Sequence, residues 1–285
     1  MKLPIPRHCQ TISGWQGVPL NVPEYGNENG APIVLVHGWS QSHQSWVRQL
    51  SGPLAEKFRL ITPDLRGHGS SGKPEGSENY DRSIAWAEDL RMVIETLALD
   101  APVLVGWSMG GWVVQDYIRH FGDADISGIS LVGSSVASGT HTEPSALKAR
   151  TNDPAVTAAG MYSTDLTTNI EATVDFIKAC YASQLTGEDL AFAVGFNMCC
   201  PPAVRKAARG RSENHKPDLA KVTCPAIVQW GAHDRIGADP MSRETTDAIP
   251  GARLITYKNS GHAPFWDEAV KFNADLAAFA NEVHQ

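Results

Sequence analysis

Short apolar runs rich in β-forming residues recur at positions 33–36, 59–62, 103–105, 126–132, 226–230 and 254–257, and helical patterns separate most of them. Runs of this kind, bounded by turn residues, read as strands buried on both faces. Strands that alternate with helices imply a parallel sheet, because each parallel connection needs a crossover and the crossover helices cover the two faces. The expected class is therefore α/β, a mostly parallel central sheet flanked by helices. The clearest helix spans 83–98, where Ile84, Ala87, Leu90, Val93, Ile94 and Leu97 follow one another at helical intervals.

One stretch departs from the alternation. Residues 138–217 hold no convincing strand but carry helical patterns near 167–182 and 187–197. Such an insertion between two strands is expected to sit as a lid over the carboxyl edge of the sheet, where open α/β folds bind ligands. The expected organisation is a core domain of residues 1–137 and 218–285 with a helical lid, or cap, of residues 138–217. A chain of 285 residues, 42% of them hydrophobic, is long enough for one such core and its insertion.

The formal net charge of −7, with Lys and Arg scattered, excludes nucleic acid and anionic membrane surfaces as primary partners. No segment approaches the roughly 18 apolar residues of a membrane span, and the first residues lack a signal-peptide core, so a cytoplasmic protein is expected. Cys9, Cys180, Cys199, Cys200 and Cys224 lack metal-ligand spacing. They are expected to be reduced residues of the protein interior, with no metal site. The sequence sets no oligomeric state.

Chemistry concentrates at Gly106-Trp107-Ser108-Met109-Gly110-Gly111, between a strand pattern and the helical pattern of Trp112, Val113, Tyr117 and Ile118. A sharp strand-to-helix turn needs small residues around the serine, and Gly106 and Gly110 supply them. The turn would lift Ser108 Oγ clear of the sheet and set a helix N-terminus under any oxyanion formed there. A serine hydroxyl is a weak nucleophile at neutral pH and needs an imidazole to take its proton, held in one tautomer by an acid. Trp230-Gly231-Ala232-His233-Asp234 ends a later strand with a turn and an acid, and Asn259-Ser260-Gly261-His262-Ala263-Pro264 follows the last strand. The order nucleophile, acid, histidine suits three loops at the carboxyl ends of successive strands. Ser108, Asp234 and His262 are thus the candidate catalytic residues. His233 adjoins the acid and is badly placed to be oriented by it. For the oxyanion hole, Met109 offers the backbone N–H after the nucleophile, and Trp39, after His37-Gly38, offers the second. His37 itself reads as a histidine that pins its loop by hydrogen bonds.

Together with Asp64-Leu65-Arg66-Gly67-His68-Gly69-Ser70-Ser71, these motifs make the chain resemble the α/β-hydrolases over nearly its whole length. The resemblance implies the α/β-hydrolase fold and a serine hydrolase needing no cofactor. It is nearest to the esterase, lactonase and cofactor-free haloperoxidase (perhydrolase) group. Dehalogenases and epoxide hydrolases of the family place a carboxylate where Ser108 stands. Family perhydrolases often carry proline after the oxyanion tryptophan, where this chain has Ser40. Hydrolysis of carboxylic esters with small or cyclic hydrophobic groups is therefore expected first, so the partner is a small-molecule ester or lactone. Lactonase and amide or lactam hydrolysis stay open on the same machinery, ahead of perhydrolase chemistry and then a non-enzymatic ligand receptor.

Trp39 and Trp107 adjoin the oxyanion donor and the nucleophile, and either line an acyl pocket or belong to the core. Phe265 and Trp266 are further candidates for that wall, while Trp46, Trp86 and Trp112 are expected in the core. Phe192, Phe196 and Met198 are expected to join the lid to the core.

Overall fold

The computed structural model describes residues 3–142 and 154–284, so residues 143–153 of the expected lid lie outside the described residues. Eight strands form one sheet: β1 (His8–Ser13), β2 (Pro19–Gly26), β3 (Pro32–Val36), β4 (Arg59–Ile61), β5 (Val103–Trp107), β6 (Gly128–Val132), β7 (Ala226–Gly231) and β8 (Arg253–Tyr257). Their spatial order is β1-β2-β4-β3-β5-β6-β7-β8. Every pairing from β4 to β8 is parallel, whereas β1 with β2 and β2 with β4 are antiparallel. The fold is the α/β-hydrolase fold, with a mostly parallel sheet and helices on both sides.

The helices are α1 (Pro53–Lys57), α2 (Ser83–Thr96), α3 (Met109–Phe121), α4 (Pro154–Thr157), α5 (Leu166–Cys180), α6 (Gly187–Met198), α7 (Pro202–Arg209), α8 (Lys216–Leu219), α9 (Asp239–Asp247), α10 (Pro264–Asp267) and α11 (Ala269–Val283). The central strands β5, β6 and β7 are buried along their whole length, since α2 and α3 and the other crossover helices leave neither face to water.

The β1–β2 hairpin was not legible as strands. β2 contains Pro19, Pro23 and a terminal Gly26, which weigh against a strand, and β1 is exposed at all positions but Ile12. β1 is the edge strand and β2 lies between β1 and β4; Pro19 opens β2, where proline is tolerated, and Pro23 sits just beyond the β2–β4 ladder, where its carbonyl still accepts the Thr62 N–H at 3.0 Å.

Helices α4 to α8 fill the interval between β6 and β7 and supply the extra layer expected of a lid. Asp165 caps α5 by accepting the Thr168 N–H at 2.9 Å. Arg205 of α7 ties this layer together. Its guanidinium donates to Asn169 Oδ1 of α5 at 2.7 Å and to the Asn197 carbonyl of α6 at 2.7 Å, in a fully buried position. Among the described residues no helix is long and apolar enough to cross a membrane. All five cysteines are free, but only Cys180 and Cys200 are buried; Cys9 and Cys199 are exposed and Cys224 is half-buried, so the interior placement expected for all five fails for Cys9 and Cys199.

Candidate active site

Ser108 is the single residue between β5 and α3, with φ 54° and ψ −118°. For a side chain bearing a Cβ this backbone costs roughly 1–3 kcal/mol, which the surrounding structure must offset. Two glycines make the turn sterically feasible. A Cβ on Gly106 would lie 2.5 Å from the Gly110 carbonyl oxygen, and one on Gly110 would lie 2.3 Å from that of Val36. The Ser108 N–H is tied to the Val132 carbonyl at 2.8 Å, and the side chain stands half-buried in the wall of a cavity at the carboxyl end of the sheet.

Asp234 follows β7. Its Oδ1 accepts the N–H groups of Ile236 and Gly237, both at 2.8 Å, and its Oδ2 lies 2.8 Å from His262 Nδ1. A carboxylate oxygen accepts, so Nδ1 carries the proton and the lone pair is left on Nε2. That Nε2 is buried without a hydrogen-bond partner, and His262 and Ser108 line the same cavity. The structure therefore brings the three candidate residues to one place. His233 is exposed to solvent, away from this arrangement.

Met109 begins α3, so its N–H has no acceptor within the helix. Trp39 also lines the cavity, and residues of the helices between β6 and β7 hold its indole. Nε1–H donates to the Arg205 carbonyl at 2.8 Å, the Phe176 ring lies edge-on at 5.1 Å, and the Arg209 guanidinium sits 4.8 Å over the ring. Beneath this loop, His37 Nδ1–H donates to the Gly38 carbonyl at 2.9 Å and Nε2 accepts the Leu65 N–H at 3.0 Å. A neutral ring satisfies both bonds, and burial pushes its pKa down to about 4. His68, 5.3 Å away, is pushed down to about 3 by burial and by its proximity to His37. Burial works against ionisation of Asp64, but hydrogen bonds and charge from His43 prevail and hold its carboxyl at about 2. Asp64 also accepts from Asn21 Nδ2 and the Ser70 N–H, both at 2.9 Å. These groups brace the loop after β3, which carries Trp39, against the loop after β4.

The walls differ from the sequence expectation. Trp107, Phe265 and Trp266 do not line the cavity. Trp107 is buried beneath the histidine loop, where its Nε1–H donates to the His262 carbonyl at 2.8 Å. Phe265 packs between Trp107, edge-on, and Trp46, tilted, with ring centroids 4.8 and 4.3 Å away. Trp266 is covered by Arg48 on one side and Tyr181 on another. Each ring is already committed to a protein partner. Trp112, expected in the core, lines the cavity instead, anchored by Nε1–H to the Ser135 carbonyl at 3.1 Å. Its position four residues after Ser108, on the first turn of α3, is a signal that a helical reading of the elbow contains. Phe176, Trp230, Ile236 and Met241 complete an apolar lining, with Ser134, Ser135 and Arg209 as polar members. These come from four separate segments, and no local pattern connects them.

Residues 33–275 match the alpha/beta hydrolase family. The AB hydrolase superfamily protein YisY of Bacillus subtilis is 28% identical, over 93% of this chain and 96% of the relative. The non-heme chloroperoxidase CPO-A1 of Kitasatospora aureofaciens is 25% identical, over 93% and 97%. Among solved structures, a Burkholderia cenocepacia protein assigned as an aryl esterase superposes with a TM-score of 0.87 at 31% identity, covering 97% of this chain and 99% of its own.

Proposed function

Because the chain belongs to the alpha/beta hydrolase family, we propose that it is a serine carboxylic ester hydrolase acting on small or cyclic hydrophobic substrates through an acyl-enzyme. One observation carries the reading. His262 is oriented by Asp234 at 2.8 Å, and its remaining nitrogen is buried and unpartnered beside the cavity that Ser108 enters.

In this scheme Ser108 Oγ attacks the ester carbonyl while His262 Nε2 takes its proton. The oxyanion rests on the N–H groups of Trp39 and Met109. His262 then returns the proton to the leaving alkoxide, and the same nitrogen activates the water that frees the acid. Residues 138–217 act as the lid over a core of residues 1–137 and 218–285. The flat rings of Trp39, Trp112 and Trp230 favour compact or ring-shaped groups over flexible chains.

Lactones and activated amides would enter the same machinery. Peroxide-dependent chemistry, suggested by the chloroperoxidase relative, ranks below hydrolysis. Ser40 has φ 64°, and proline, whose ring holds φ near −65°, cannot occupy that backbone. The loop thus has a shape that the proline-bearing perhydrolases of the family do not share. A panel of nitrophenyl esters of graded acyl size, with lactones and a peroxide halogenation assay, tests the reading. Turnover of small esters by the wild type, abolished in Ser108→Ala, is expected; turnover that survives Ser108→Ala would overturn it.

A further inference from the structure

The histidine loop is held from outside by two acidic side chains that the chemistry above leaves unused. Glu268 Oε2 accepts the Asn259 N–H at 2.9 Å and the Ser260 hydroxyl at 2.7 Å, bonds internal to the loop and its flank. Asp267, at the end of α10, is different. Its Oδ2 accepts the Gly261 N–H at 2.9 Å and also the Ala182 N–H at 3.0 Å, while Oδ1 accepts the Ser183 N–H at 3.1 Å and the Ser183 hydroxyl at 2.5 Å. Gly261 immediately precedes His262, whereas Ala182 and Ser183 follow α5 of the lid. A single carboxylate therefore closes the joint between the histidine loop and the lid.

The two segments meet backbone to backbone. A Cβ on Gly261 would lie 2.8 Å from the Ala182 nitrogen and 3.0 Å from the Cys180 carbonyl oxygen. At its other contact, α5 places Phe176 in the cavity wall against Trp39. The helix that shapes the substrate wall is thus anchored on the residue before the proposed base.

We propose that Asp267 is a positioning residue that couples the seating of lid helix α5 to the orientation of the His262 imidazole. This rests on the functional reading given above. Asp267 touches neither the cavity nor the reacting groups, so its loss acts through the placement of His262 and of the Phe176 wall rather than by direct contact with substrate. Charge-assisted bonds of a carboxylate to N–H donors are roughly twice as strong as neutral ones. Asparagine at 267 would turn an amide N–H toward those donors and lose acceptors on one side of the joint. A misplacement of about 1 Å in a catalytic group can cost on the order of 100-fold in rate.

The test compares wild type, Asp267→Asn and Ser183→Ala as full-length proteins on a small nitrophenyl ester, with folding checked by circular dichroism. For folded Asp267→Asn, kcat is expected to fall at least ~10-fold, with any rise in KM from the shifted Phe176 wall smaller than that fall. The low-field NMR signal of the His262 Nδ1 proton should broaden with it. Ser183→Ala removes only the hydroxyl bond on the lid side and should lower kcat roughly 2- to 5-fold. A folded Asp267→Asn protein with wild-type kcat and an unchanged Nδ1 signal overturns the proposal. If that variant does not fold, wild-type kcat in Ser183→Ala does so. A wild-type protein whose Ser108 never acylates would instead remove the functional reading itself.

Discussion

Trp107 donates its indole N–H to the backbone carbonyl of His262 at 2.8 Å, so the residue before the proposed nucleophile holds the loop that carries the proposed base. Elbow and histidine loop are thereby one unit. Trp107→Phe would remove this bond and part of a buried ring, at a cost of about 2–4 kcal/mol in stability. It should also lower kcat more than it changes KM, because Trp107 does not line the cavity. Urea unfolding and steady-state kinetics on the same preparation measure both effects.

The backbone at Ser40 makes a paired prediction. With φ 64° and a buried hydroxyl that has no hydrogen-bond partner, glycine should be tolerated there within about 1 kcal/mol of wild type. Proline should destabilise by more than about 1 kcal/mol, since it cannot adopt the native φ. Urea midpoints of Ser40→Gly and Ser40→Pro check the order; a stable, fully active Ser40→Pro protein would speak against the loop shape described.

Stability should fall with pH well before most carboxylates titrate. His37 and His68 are lowered from an ordinary 6.5 to about 4 and about 3, in both cases chiefly by burial. Below pH 6.5 the unfolded chain takes up protons on these rings and the folded protein does not. Their contribution is therefore fully present above pH 6.5 and is lost as pH falls through the folded values. Each ring adds a slope of up to about 1.4 kcal/mol per pH unit in that window. Asp64, lowered from 3.8 to about 2, adds to the loss only below about pH 4. Urea unfolding from pH 7.5 to 4.5 tests this, and a flat profile between pH 6.5 and 5 would contradict it.

Trp112 offers a specificity test. Trp112→Ala opens the cavity beside Ser108 and should raise the kcat/KM of bulkier acyl groups relative to acetyl by roughly 10-fold or more, the scale on which one methylene discriminates substrates. An unchanged acyl-length profile would place the acyl group elsewhere.

The parts of this protein legible in its sequence are those governed by local rules. β3 to β7 are apolar runs buried at nearly every position, whereas β8, at the sheet edge, is buried only at Tyr257 and departs from the expected burial on both faces. The elbow announces itself through Gly106 and Gly110, whose positions nothing larger can fill. The β1–β2 hairpin was hidden because Pro19 and Pro23 weigh against a strand, and only the assembled sheet shows Pro19 opening β2 and Pro23 lying just beyond its ladder with β4. The cavity was harder still. Trp107 and Trp112 both flank the elbow, yet one turns under the histidine loop and the other into the cavity, a choice set by acceptors at His262 and Ser135 that are distant in sequence. Phe176 reaches the wall only because the insertion folds back over the sheet.

The most direct measurement is the rate at which a fluorophosphonate modifies Ser108, mapped by mass spectrometry in wild type, His262→Ala and Asp234→Ala. Activation of Ser108 by an imidazole that Asp234 orients requires rapid modification of the wild type at Ser108, slowed by about 1,000-fold or more in His262→Ala and strongly slowed in Asp234→Ala. A folded wild-type protein left unmodified at Ser108, or modified equally fast without His262, would contradict it.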